Sequence, residues 1–316
     1  MLTRPEVESK QLLAVTVEPG KESRLRLRNK NIVYEKDGEI VNQCSLSRVL
    51  HLIIIGDISI TTNLIRDLNE HGISVCLLKS NLKPYAYFGF EHDANFLLRE
   101  QQYKLAPEQN LRIARQLVAD KIHNQTILLR RASADESGLY PYFQAAQTAV
   151  DAKELLGIEG SASKLFFSQY FELFGWARRS PRTKEDILNF LLDIGYTVLF
   201  NFTDAVCRHF GLDTYKGVYH TQFFARKSLV CDLMEPFRCL IDNRTRTALT
   251  LKIFTRDMFQ YGKYGVYTHW KDTSKITQTY AHEVMDHRQQ IFRHVRDFYR
   301  HVMDQDNVLP TFRLKR

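Results

Sequence analysis

The chain is 316 residues long, 44% apolar and 25% charged, with 44 Lys and Arg against 36 Asp and Glu. That composition is ordinary for a soluble globular protein, and the length suits two domains. A net charge of +8 leans toward a polyanionic partner, while five scattered cysteines with no C-x-x-C pair argue against a zinc ribbon or disulfide scaffold and fit a reducing cytosol.

The opening MLTRPEVESKQ has no apolar signal-like core, and the most apolar run, VLHLIIIG at 49–56, is too short to cross a bilayer. A cytoplasmic protein with no membrane partner is expected. Residues 1–90 then read mainly as strands: LLAVTVE, RLRLRNK, NIVYEKDGEIV, VLHLIIIG and ISVCLL are β-branched-rich runs of strand length. Asp37-Gly38 predicts a type I′ hairpin, and ISITTNLIRDLNEHG predicts one short helix stopped by Gly72. From residue 91 the periodicity turns helical, with Pro107, Gly157, Gly175, Pro181 and Gly211 as punctuation. The expected class is α+β: a small N-terminal β-rich, sandwich-like domain (1–90) followed by a larger all-α domain (91–316), with the boundary near Gly89–Glu91.

Three stretches of the helical half carry chemistry. KSLVCDLMEPFRCLID (227–242) reads as a helix with Leu229, Leu233, Phe237 and Leu240 on one stripe and Asp232 and Glu235 facing roughly the opposite way. Acids so placed usually face water. Yet Cys231 and Cys239 share the acidic side, and Pro236 cannot donate to the carbonyl of Asp232, which predicts a local distortion. A half-covered pair of carboxylates could instead share a cation or a hydrogen-bond network. In GIEGSASKLFFSQYFELFG (157–175), Glu159 lines up with Ala162, Phe166, Tyr170 and Leu173, while Leu165, Phe167, Phe171 and Phe174 cover most of the remainder. A helix apolar nearly all round is buried, which puts Glu159 at its inner end. An ionised carboxylate there costs several kcal/mol unless it is paired or ligates a metal. The alternative is an N-terminal glutamate stabilised by first-turn amides, with Gly157 and Gly160 beside it. His220 ends GVY in a loop punctuated by Gly211 and Gly217, where a histidine is more often a surface or packing residue than a ligand. HEVMDH (282–287) fails the H-E-x-x-H zinc pattern, because Asp286 stands where the second histidine is required.

Taken together, E-G-x-A-x-K-x-F-F-x-x-Y (159–170), D-I-G-Y-T-V-L-F (193–200), G-L-D-x-Y-x-G-V-Y-H (211–220) and S-L-V-C-D-L-M-E-P-F-R (228–238) resemble the CRISPR-associated spacer-acquisition integrase called Cas one. The resemblance spans the middle of the helical half, and the strand-rich half agrees in kind. It implies a metal-dependent DNA endonuclease and integrase that joins the 3′-hydroxyl ends of captured spacer DNA to the CRISPR repeat. It makes Glu159, His220 and Glu235 the ligands of Mg²⁺ or Mn²⁺ and Asp232 an adjacent acid of the same site. It also implies double-stranded DNA as substrate, a homodimer formed through the strand domain, and the small protein Cas two as partner. Many relatives have aspartate where this chain has Glu235, and often arginine where it has Lys164. The same residues would serve a transposon-associated integrase of this family; a non-catalytic DNA-binding adaptor is the alternative of a different class.

The residue types suit that chemistry. Two carboxylates and a neutral imidazole leave a hard divalent cation open positions for phosphate oxygen and water, so no covalent enzyme nucleophile is needed. For holding the phosphates, Arg226 and Lys227 lie between two proposed ligand segments, with Lys164 and Arg178-Arg179 as further contacts. Arg182, Arg130-Arg131 and the helical series Arg293, Arg296, Arg300 are additional basic clusters, any of which can equally be a solubilising surface.

Overall fold

The structure is a computed structural model that describes residues 9–80, 84–88, 95–176, 178–220 and 226–315. Most of the opening segment and the expected boundary at Gly89–Glu91 lie outside the described residues.

The strand runs of the first region fold where their periodicity places them. β1 (Gln11–Thr16), β2 (Ser23–Arg28), β3 (Asn31–Lys36), β4 (Glu39–Ser45) and β5 (Val49–Ile55) are followed by β6 (Ser59–Ile60), α1 (Thr62–Glu70), β7 (Ser74–Leu78) and β8 (Pro84–Phe88). They make two four-stranded sheets, ordered β1-β5-β7-β8 and β4-β3-β2-β6. Asp37 and Gly38 both take positive φ, 50° and 83°, as a type I′ turn between β3 and β4 requires. The stretch expected as one helix is split. Ser59 and Ile60 first pair in parallel with Arg24 and Leu25, and only then does Thr61 cap α1 by accepting from the Leu64 amide at 3.3 Å.

β5 explains how the two regions meet. All seven of its residues are buried, as expected of a central strand covered on both faces. Leu52 and Ile54 join the apolar core shared with Leu25, Ile32, Leu64 and Val75, while Ile53 and Ile55 join the core of the helical body. The sandwich-like region is therefore seated on the helices through the outer face of its first sheet.

The helical body comprises α2 (Phe96–Lys104), α3 (Pro107–Arg131), α4 (Tyr140–Thr148), α5 (Ala152–Tyr170), α6 (Ile187–His209), α7 (Ser228–Met234), α8 (Arg238–Thr250), α9 (Trp270–Asp286) and α10 (Arg288–Met303). It is not all-α: β9 (Phe259–Gly262) and β10 (Gly265–Thr268) form an antiparallel hairpin before α9. At its centre runs α6, capped by Asp186, which accepts from the Asn189 amide at 2.7 Å. It is long and apolar enough by length and composition to cross a membrane, yet 83% of its most apolar window is buried inside the molecule. α9 packs against both α6 and β1, tying the sheet to the bundle.

Candidate active site

The stretch 227–242 is not one helix. α7 ends at Met234, Glu235–Phe237 form a 3₁₀ turn, and α8 starts at Arg238. The cause is the one Pro236 supplies, a missing amide donor inside a helical run. Both acids are buried, Asp232 completely and Glu235 to 2% exposure, so neither faces water.

Glu159 also sits differently from its expected place at a helix end. α5 begins at the Asp151 cap and runs through Gly157 and Gly160, which puts Glu159 two turns inside it. First-turn amides therefore do not account for this carboxylate. Its stripe of Leu155, Glu159, Ala162, Phe166 and Tyr170 is buried against the body, whereas Leu173, expected on the same face, is exposed beyond the helix end.

The counter-charge is Lys121, on the inner face of α3. Its ammonium contacts Glu159 Oε1 and lies 2.9 Å from Glu235 Oε2, with both side chains of that second pair almost fully buried. Glu159 Oε2 accepts the Tyr219 hydroxyl at 2.6 Å, and Glu235 Oε2 accepts Arg238 Nε at 2.8 Å. Burial opposes ionisation of Glu235, but Arg238 and Lys121 outweigh it and hold its carboxyl down at about 2. Burial likewise opposes the charge on Lys121, and Glu159 and Glu235 reverse that and raise its pKa above the ordinary lysine range. For Tyr219, burial first and Glu159 second raise the phenol.

The tilt of the Glu235 turn is fixed from α3 as well. Asn124, one turn beyond Lys121, donates to the Pro236 carbonyl at 2.8 Å and the Phe312 carbonyl at 3.0 Å, and accepts from the Leu314 amide. Sequence reasoning missed Lys121, Asn124 and Arg238. A usable signal existed for the first two: both fall in register with Leu117 and Leu128 on the core stripe of α3, where an unpaired polar group is costly.

His220 stands in the loop before α7, and Asp232 builds that loop. Asp232 Oδ2 accepts the amides of Val218 (2.7 Å) and Tyr219 (3.0 Å), while Oδ1 accepts the His220 amide (3.0 Å) and His220 Nδ1 (2.6 Å). With Nδ1 turned to that carboxylate, Nε2 is the ring nitrogen that a ligand would use. Asp232 is thus a positioning residue, its lone pairs spent on the turn. Glycine at 217 makes the approach possible, since a Cβ there would lie 2.7 Å from Asp232 Oδ2. The Tyr219 and His220 rings are 4.9 Å apart, so the chain Glu159–Tyr219–His220–Asp232 is continuous with the bridged trio Glu159–Lys121–Glu235.

Among the described residues, no three His, Cys, Asp or Glu side chains already stand as a closed metal cage. Instead the gap between Glu159 and Glu235 holds an ammonium, so the two carboxylates already share one cation. Carboxylate oxygens with one imidazole nitrogen are the donor types that a hard divalent ion takes.

The proposed phosphate contacts divide. Lys164 and Arg178 are exposed, the latter with Glu185 3.7 Å away. Arg179 turns inward, 2.5 Å from Asp193 Oδ1 and 2.8 Å from Asn189 Oδ1. Lys227, expected on phosphate, is buried: its ammonium is 2.8 Å from Asp204 Oδ2 and 3.3 Å from the centre of the Tyr87 ring. It fastens α7 to α6 and β8. Arg226 is half-buried, and its positive charge partly offsets the burial that raises the Cys231 thiol's pKa.

Fold and site define a class: a strand-rich region on a helical body that carries a buried, cation-bridged carboxylate pair beside an anchored histidine. A family profile described as "CRISPR associated protein Cas1" matches residues 19–282, and the chain belongs to that family. It is 27% identical over 308 residues to "CRISPR-associated endonuclease Cas1 1" of Thermodesulfovibrio yellowstonii, covering 92% of this chain and 97% of that one. It is 30% identical over 243 residues to a "CRISPR-associated exonuclease Cas4/endonuclease Cas1 fusion" of Rhodospirillum rubrum, covering 71% of this chain and only 42% of the fusion. Among solved structures, a CAS1 protein from Thermotoga maritima superposes with a TM-score of 0.83 at 18% identity, over 97% of this chain and 100% of that one. A structure titled "Casposase bound to integration product" superposes at 0.82 and 19% identity, over 97% and 95%. At those identities the two structures show the fold alone.

Proposed function

We propose that this chain is a metal-dependent DNA endonuclease and integrase of CRISPR adaptation, which joins the 3′-hydroxyl ends of captured DNA to the CRISPR repeat by transesterification. The observation that carries this reading is the pairing of Glu159 and Glu235 across one cationic nitrogen, beside a histidine whose Nδ1 is tied to Asp232. Membership of the Cas1 family and a near full-length endonuclease relative support it. Mg²⁺ or Mn²⁺, held by Glu159, His220 and Glu235, would offset charge on the phosphorus centre and orient the attacking oxygen.

The chain's own residues supply the rest. Tyr219 and Arg238 fix one oxygen of Glu159 and of Glu235 respectively, which stops either carboxylate from rotating freely. Asp232 holds the imidazole in the tautomer that leaves Nε2 open. Lys164 and Arg178 are exposed, and in this reading they would meet the DNA backbone, each real contact steepening the salt dependence of binding by about one unit. The reading includes a cytoplasmic homodimer assembled through a domain of residues 1–90, a catalytic domain of residues 91–316, and Cas2 as partner. One structure superposing at 0.81 is titled a "Cas6-RT-Cas1--Cas2 complex".

The test is strand joining of a short DNA duplex into a supercoiled plasmid bearing the repeat. Glu159→Ala and Glu235→Ala should each abolish joining, and activity persisting in both would refute the site.

A further inference from the structure

Lys121 is chemically out of place. A lysine on the core face of α3, 8% exposed, puts its charge where burial is expensive, and it does so between two carboxylates that come from different elements. Each glutamate has a second partner of its own: the Tyr219 hydroxyl for Glu159 and Arg238 for Glu235. Arg238 already balances one carboxylate. What Lys121 adds is a bridge, the one group that contacts both glutamates at once among the described residues. Without it, two like charges would face each other across a gap shielded from water, and α5 would be pushed away from the Glu235 turn.

We infer that Lys121 is the resident counter-cation of the site: its ammonium holds Glu159 and Glu235 together in the cation-free protein and leaves the gap when a divalent cation enters. The inference rests on the reading of the site as a divalent-cation centre. An ammonium and a divalent ion cannot both sit between the same two oxygens without strong repulsion, so they compete. The displaced lysine has four flexible carbons with which to swing outward, and its ammonium then becomes available to a phosphate. Lys121 is therefore a positioning residue for the carboxylates, and it sets how tightly the cation is held.

Manganese affinity is the direct readout, measured calorimetrically on the full chain without DNA. Lys121→Met keeps an unbranched stem and removes the competitor, so Mn²⁺ should bind about tenfold more tightly or better. The metal-free variant should also melt lower than the parent and be raised further by Mn²⁺. Unchanged or weaker Mn²⁺ binding in Lys121→Met would show a permanent structural ion pair and overturn the inference. No Mn²⁺ binding in the parent, or binding that survives Glu159→Gln and Glu235→Gln together, would instead overturn the reading of the site. Should Lys121→Met fail to fold, amine acylation of the parent followed by mass spectrometry decides: Lys121 should be protected without Mn²⁺ and reactive with it. Protection that Mn²⁺ leaves unchanged would overturn the inference.

Discussion

Asp232 and His220 lie within one hydrogen bond of each other, the proposed site gives them different work, and substitution would separate the two. Among the described residues the imidazole makes one side-chain hydrogen bond, to Asp232, so His220→Ala should cost stability only about 1 kcal/mol. Its loss should lower strand joining at least about 100-fold, because the nitrogen donor disappears. A collapse of the thermal transition in that variant would instead mark His220 as structural. Asp232→Ala should behave in the opposite proportion. It strands three backbone amides in a buried turn and should destabilise the protein by about 2–4 kcal/mol, read from urea unfolding, with activity lost as a consequence.

At the scale of elements, the site depends on how closely the loop before α7 can lie on that helix. Gly217 permits it, because a methyl there would meet Asp232 Oδ2 at 2.7 Å and Ser228 Cβ at 2.8 Å. Backbone and a fully buried carboxylate cannot yield cheaply. Gly217→Ala should therefore cost about 1–3 kcal/mol and lift the loop, and the amides of Val218, Tyr219 and His220 should exchange hydrogen faster than in the parent. Exchange rates that match the parent would show that the loop is held by something other than this approach. The 3₁₀ turn at Glu235–Phe237 is the second element that matters. It aims Glu235 at α3 instead of along the line of α7, and Asn124 holds it there.

Across the whole molecule, stability should fall on mild acidification because two histidines are fully buried. His294 is packed edge-on against Phe237, 5.1 Å away, and burial depresses its pKa to about 4 despite the nearby carboxylates of Asp120 and Asp297. Burial depresses His51 to about 3. An unfolded histidine takes up its proton near pH 6.5, so between there and about 4 the unfolded state binds more protons and stability drops as pH falls. Asp242, raised to about 7 by burial, acts in the opposite sense, since acidification relieves its penalty. Glu235 contributes only lower: its stabilisation is present above about 4.5 and is lost as pH falls toward about 2. Comparing His294→Leu with the parent isolates one term. The stability difference between pH 7 and pH 5 should shrink by about 2 kcal/mol in the variant, and an unchanged difference would mean that His294 already carries its proton at pH 5.

Local pattern was enough for much of this. Period-2 runs marked β1 to β5 and β7, Asp37-Gly38 marked its turn, and the motifs around Glu159, His220 and Glu235 carried the resemblance to the Cas1 family, because these signals reside in residues adjacent in sequence or on one helix face. β6 and β8 escaped because a two-residue strand and a proline-bearing edge strand exist only through the partners they pair with. The continuation of α5 through Gly157 and Gly160 was decided by packing, which overrides the modest helical cost of glycine. The fate of each charge was decided the same way. Lys227 and Lys121 are both lysines in helical stretches, and nothing local separates them from Lys164 on the surface. Which carboxylate lies within 3 Å of an ammonium is set by helices that meet only after folding, and whether attraction or burial then prevails differs from pair to pair: the carboxylates prevail at Lys121, whereas burial prevails at Lys227.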